Sequence, residues 1–242
     1  MLTLTTSDAI HPPCHPADEA LALSRLEERL PPLLSVIAGM VDLTGFFTLG
    51  NIFTAHVTGN LVVIAAEAVR GGPLNLAQTL SVPVFILAVA AVWLLDRASG
   101  RRGPALTRLL LLVQFLLLTG ILILSVITKP SANPHGLMAG IAVMMAVSAM
   151  ACQFALFRLA LPGGISTAVM TGNLTNTVLS LMEMLSLGRP LMPADAGRLK
   201  RSLHLLFGFL VGCIVAAAAI SLLADWAWSL PVALAAVAVA LP

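Results

Sequence analysis

From residue 33 onward the chain alternates long apolar runs with short polar or Gly/Pro-rich breaks. About 20 consecutive apolar residues cross the hydrocarbon core of a bilayer as a helix. The pattern predicts spans near residues 33–50, 80–95, 105–127, 136–157, 203–223 and 229–240, the first and last of them short. Ahead of these, Ala17 to Leu30 puts Leu21, Leu23, Leu26 and Leu30 near one helical face, with acids early and arginines late as the helix dipole favours. That predicts a short interfacial helix ended by Pro31-Pro32, because proline breaks the helical hydrogen-bond ladder. Gly136 with Gly140, and Gly208 with Gly212, form small-xxx-small pairs suited to close helix contact.

Two stretches do not fit plain lipid-facing helix. Thr54-Ala-His-Val-Thr-Gly-Asn-Leu61 returns as Thr167-Ala-Val-Met-Thr-Gly-Asn-Leu174, with six of eight positions identical at one offset. Glycine loosens a helix, and Thr and Asn offer its backbone competing hydrogen bonds, so something other than lipid packing holds these residues. The repeat divides the membrane part into halves at about 33–128 and 135–242, each built round one Thr-Gly-Asn element. The expected fold is all-α: a polytopic helical membrane protein with two internal repeats, six full spans and two re-entrant or broken elements, or alternatively eight spans.

Composition agrees with the membrane reading. Only 10% of the residues are charged and 59% are hydrophobic, against about 25% charged in soluble domains. One membrane domain over 33–242 follows a tail over 1–32, with no room for a soluble catalytic domain. Lys and Arg then separate the topologies. With the N-terminus in the cytoplasm, eight spans put 8 of the 13 cations inside and 5 outside, whereas two re-entrant elements put 11 inside and leave Arg70 and Lys129 outside. The positive-inside rule prefers the second, in which the halves are related by inverted topology. The residues before Ile10 lack the basic start and apolar core of a cleaved secretory signal.

Asp42 is the acid placed clearly inside an apolar run, where carboxylates tend to line cavities or proton and ion paths; its structural alternative is a protonated acid bonded between helices. With a two-residue gap the repeat sets Gln153 opposite it. Thr58, Gly59 and Asn60, with Thr171, Gly172 and Asn173, are expected to begin half-helices whose free N–H groups coordinate a ligand, or else to let the elements pack closely. His56, replaced by Val169 in the second copy, reads equally as a proton relay or as a satisfied core histidine. Arg158 could reach inward to Asp42 or anchor at the surface. His11, Cys14 and His15 lack the further ligands of a metal site, so a Pro-rich tail is the simpler account. The odd set of Cys14, Cys152 and Cys213 is no disulfide framework, and no basic tract with aromatics supports nucleic-acid binding. No cofactor or metal is expected.

The run Ala38-Gly-Met-Val-Asp42, then Phe46-Phe-Thr-Leu-Gly50, then the first octet resembles the YoaK-type family of bacterial membrane proteins, a family of unknown function. The resemblance covers most of the chain after residue 32 and implies a multi-pass protein of the bacterial inner membrane. It brings no substrate or catalytic residue. The function expected is transport of a small molecule or ion through a site between the halves, with a structural or regulatory membrane protein as the alternative. An enzyme is not expected, since paired carboxylates, an activated nucleophile and a metal cluster are all missing from the pattern. The partners expected are the bilayer, an unidentified small ligand, and further copies of the chain.

Overall fold

A computed structural model describes residues 16–71, 75–161, 166–167, 170–185 and 193–242. These form eight α-helices: α1 (Pro16–Thr48), α2 (Val57–Arg70), α3 (Leu76–Ser99), α4 (Gly103–Thr128), α5 (Leu137–Leu159), α6 (Met170–Leu185), α7 (Pro193–Leu223) and α8 (Ser229–Ala240). Short 3-10 turns at Pro130–Ala132 and Ala224–Trp228 join α4 to α5 and α7 to α8. Five helical stretches are long and apolar enough to cross a membrane: Ser24–Thr48, Leu76–Ser99, Gly103–Thr128, Leu137–Leu159 and Ala196–Ala240. The tail with His11, Cys14 and His15, and Val169 opposite His56, lie outside the described residues.

The expected break at Pro31-Pro32 is absent: both prolines lie inside α1. Each removes one backbone donor, but Leu26, Leu30, Leu34, Ile37 and Val41 keep a buried stripe running past them. The Ser35 hydroxyl also donates to the Leu205 carbonyl of α7. Packing therefore holds a helix that local propensity would end.

The central helices are α1 and α5, the most buried of the five candidate spans, while α3 shows most of its surface outward. On α7, Gly208 faces Pro32 and Ser35, and Gly212 faces Val36 and Met40, so α1 and α7 run parallel. A Cβ on Gly39 would strike the Phe209 carbonyl, and one on Gly212 the Val36 carbonyl. This backbone-to-backbone approach is what small residues permit. Gly140 of α5 sits against Ala77 of α3 in a second parallel pair.

The ends of the helices gather at two faces. Gly50, Asn75 and Pro134 meet at one, where the Ser131 hydroxyl donates to Asp225 at 2.7 Å. Arg101, Arg108 and Pro242 meet at the other, which also receives the start of α1 and the end of α5. Of the described cations only Arg70 and Lys129 lie at the first face. The second is the basic face.

Candidate functional site: the Asp42–His56 centre and its Gln153 counterpart

The Asp42 centre is made by a reversal of the chain. At the end of α1 the Asn51 N–H bonds the Phe46 carbonyl, and Gly50 takes φ +87°, a left-handed turn that glycine adopts freely. The chain then runs back along α1 instead of away from it. Thr54 lies over Gly45, whose missing side chain makes the room, and its hydroxyl donates to the Val41 carbonyl at 3.1 Å. At this depth the N–H groups of Thr54 and Ala55 each donate to one oxygen of Asp42 at 2.8 Å, with His56 N–H at 3.4 Å. The other Asp42 oxygen lies 2.6 Å from His56 Nδ1.

Asp42 is only 6% exposed, yet its charge has a concave cradle of successive N–H groups and the positive end of α2. The N–H groups on Asp42 belong to Thr54, Ala55 and His56, ahead of the Thr58–Asn60 start expected to coordinate a ligand, where the Gly59 N–H instead bonds the His56 carbonyl at 2.8 Å. The His56 side chain is 37% exposed, and its ring meets Phe209 of α7 edge-on at 5.1 Å between centroids. Because Nδ1 faces Asp42, Nε2 is the nitrogen left for a proton or ligand.

Asn60 closes the loop. Its Oδ1 accepts from Phe53 N–H at 3.0 Å, and its Nδ2 donates to the Phe53 carbonyl at 2.8 Å and the Ser81 hydroxyl of α3 at 2.9 Å. The amide therefore acts like a strand neighbour for Phe53 and ties α2 to α3. Gly59 leaves space for the Phe53 ring, whereas Thr58 points outward and is exposed.

Around the second octet the described polar contacts are between neutral groups. Asn173 donates to the Ser166 carbonyl at 3.2 Å, seven residues back as with Asn60 and Phe53. Gln153 Nε2 donates to Thr167 Oγ1 at 3.0 Å and to the Leu34 carbonyl of α1 at 2.9 Å, while its Oε1 accepts from Gln114 of α4 at 2.8 Å. Thr171 is exposed and Gly172 half-buried. Asp42 and Gln153 thus each grip the threonine that opens an octet.

The structure does not join the two into one cluster. Leu34 and Asp42 are eight residues apart on α1, or about 12 Å at 1.5 Å per residue. Grooves of about 500 and 660 Å³ lie away from both octets, one between α1 and α7 at the basic face and one between α3 and α5 at the other. Arg158 is exposed at the end of α5 and does not reach Asp42. No group of three His, Cys, Asp or Glu side chains converges among the described residues. Phe53, Ser81, Gln114 and Phe209 complete the centres, and sequence reasoning missed all four. Phe53 and Ser166 share one offset just ahead of the octets, but the bonds they make to Asn60 and Asn173 use their backbone atoms, which any residue type supplies.

A family described as a protein of unknown function, DUF1275, matches residues 30–241. The chain belongs to the DUF1275 family. The match begins inside α1 and ends past α8, so both polar centres are parts of the DUF1275 region. The UPF0700 transmembrane protein YoaK of Bacillus subtilis (strain 168) is 29% identical over 157 residues, which is 64% of this chain and 65% of that protein's length. No solved structure matches the chain. The DUF1275 description carries no activity.

Proposed function

We propose that this DUF1275 membrane protein transports a small molecule or ion across the bacterial inner membrane, with the Asp42–His56 pair as its charged centre. The observation that carries the reading is the 2.6 Å contact of a buried carboxylate with a part-exposed imidazole at the tip of a dipping segment. A carboxylate fixed by backbone N–H groups stays in place as a counter-charge. Protonation at His56 Nε2 then alternates the pair between net negative and neutral, the charge change that coupling to a proton or a cationic cargo requires.

Geometry supports two re-entrant elements. Gly50 and Asn75, which bracket the first, lie at the same face, with the Thr54–His56 tip at the depth of Asp42 between them. Thr167 begins the second beside Gln153, inside the end of α5, and Met184 returns to Lys200 at the basic face. In this reading one element dips from each face. The parallel pairs α1 with α7 and α3 with α5 exchange when the halves are exchanged, as in an inverted repeat. With α8 running back along α4 from Asp225 to Arg108, the count becomes six spans, and the basic face looks into the cytoplasm.

A structural or regulatory protein is the second reading. It is favoured by Asn60 and Asn173, each bonded within its own half, and by grooves that avoid the octets. A thermal-shift panel of small ions and metabolites on the purified protein, with hits followed as uptake into proteoliposomes, separates the two. Transport predicts a solute whose uptake is lost in Asp42→Asn and His56→Gln. A hit whose binding and uptake survive both variants overturns the site.

A further inference from the structure

The groove at the basic face lies where α1 and α7 diverge beyond the close contact of Gly208 with Pro32. It is lined by Arg29, Lys200, Arg201 and His204 together with Glu27 and Glu28, and Glu27 is already engaged within the protein. A second groove shares Lys200 and His204 with it and continues along α6 and α7 past Met184, Leu199, Leu203 and Phe207. A cup holding three permanent cations against two carboxylates, net positive by one charge, therefore opens onto an apolar channel, and Lys200 and His204 stand at the junction.

The architecture alone does not demand the charge. The groove between α3 and α5 occupies the matching place at the other face, but it is lined by Asn75, His135 and apolar residues and holds neither Lys nor Arg. We propose that the α1–α7 groove binds an anionic phospholipid: the phosphate sits among Arg29, Lys200 and Arg201, and an acyl chain lies along Leu199, Leu203 and Phe207. The cations match a phosphodiester, and basic pockets between membrane helices are where anionic headgroups bind. A soluble phosphate would make no use of the apolar half.

The test uses the full chain in phosphatidylcholine nanodiscs titrated with phosphatidylglycerol, read as retained lipid by native mass spectrometry and as a thermal shift. Wild type should retain phosphatidylglycerol and gain thermal stability. Arg29→Gln/Lys200→Gln/Arg201→Gln should weaken retention roughly a hundredfold, and Lys200→Gln alone about fivefold. Arg101→Gln/Arg102→Gln/Arg108→Gln, which removes as many cations from the same face, should change it little. Equal losses in the two triple variants would reduce the effect to general surface charge and overturn the site. Displacement of phosphatidylglycerol by an equal concentration of inorganic phosphate or glycerol 3-phosphate would mark a soluble-anion site and also overturn it.

Discussion

Replacing Asp42 separates what its charge does from what its shape does. Asn keeps an oxygen for the Thr54 and Ala55 N–H groups, both now at 2.8 Å, but turns charge-assisted bonds into neutral ones. Such bonds fall from about 1.5–3 to about 0.5–1.5 kcal/mol each. With the lost attraction for the positive end of α2, about 1 kcal/mol, Asp42→Asn should cost roughly 3 kcal/mol. Ala leaves the same buried N–H groups with no acceptor, at about 1–3 kcal/mol apiece, and should cost roughly 5 kcal/mol. At about 2–4 °C per kcal/mol for a chain of this size, melting in a constant detergent or nanodisc should fall by roughly 9 °C for Asn and 15 °C for Ala. Two results would refute the cradle: an Asn variant that melts with wild type, or an Ala variant no worse than Asn. His56→Gln, which leaves the backbone N–H groups on Asp42, should shift melting less than either.

Asn60→Asp keeps the acceptor for Phe53 N–H and loses both donors, so it should destabilise by about 3 kcal/mol, more than Asn173→Asp, which loses the bond to the Ser166 carbonyl; thermal melts of the pair check the order. Gly39→Ala and Gly212→Ala force a methyl into a facing backbone carbonyl and should each cost about 2–3 kcal/mol, while Gly140→Ala, 3.7 Å from the Ala77 methyl, should be nearly neutral in a denaturation series. In a background lacking Cys14, Cys152 and Cys213, Ala132→Cys should label with an impermeant maleimide in spheroplasts and Arg101→Cys only after lysis; the opposite pattern would invert the orientation.

Features legible in the sequence were those carried by side-chain type at a fixed offset. The octets, the apolar runs and the Asp42–Gln153 correspondence are of that kind, and Gln153 and Asp42 do grip Thr167 and Thr54. Contacts made by backbone atoms were not legible. The Phe53 pairing with Asn60 and the cradle on Asp42 leave no trace in the residue types that form them. Proline in α1 misled for a related reason: the force that keeps the helix whole comes from α7, and Ser35 and Leu205 are far apart in sequence. Gln114 reads as one more polar residue in an apolar span until folding brings it to Gln153.

The sequence distance over which each polar centre is satisfied bears on how the chain enters the bilayer during synthesis. Asp42 finds its partners within 12 to 14 residues, so the loop that neutralises it leaves the ribosome almost directly behind it. The carboxylate need not wait in lipid for a distant helix. Gln153 reaches back 39 residues to Gln114 and 119 to Leu34, both already inserted when it emerges. α7 arrives late, and its glycines let it slide against α1 with no side chain to clear. A nascent chain stalled just after α3 would therefore already contain every hydrogen-bond partner of Asp42, with only the Phe209 cover of α7 still to come.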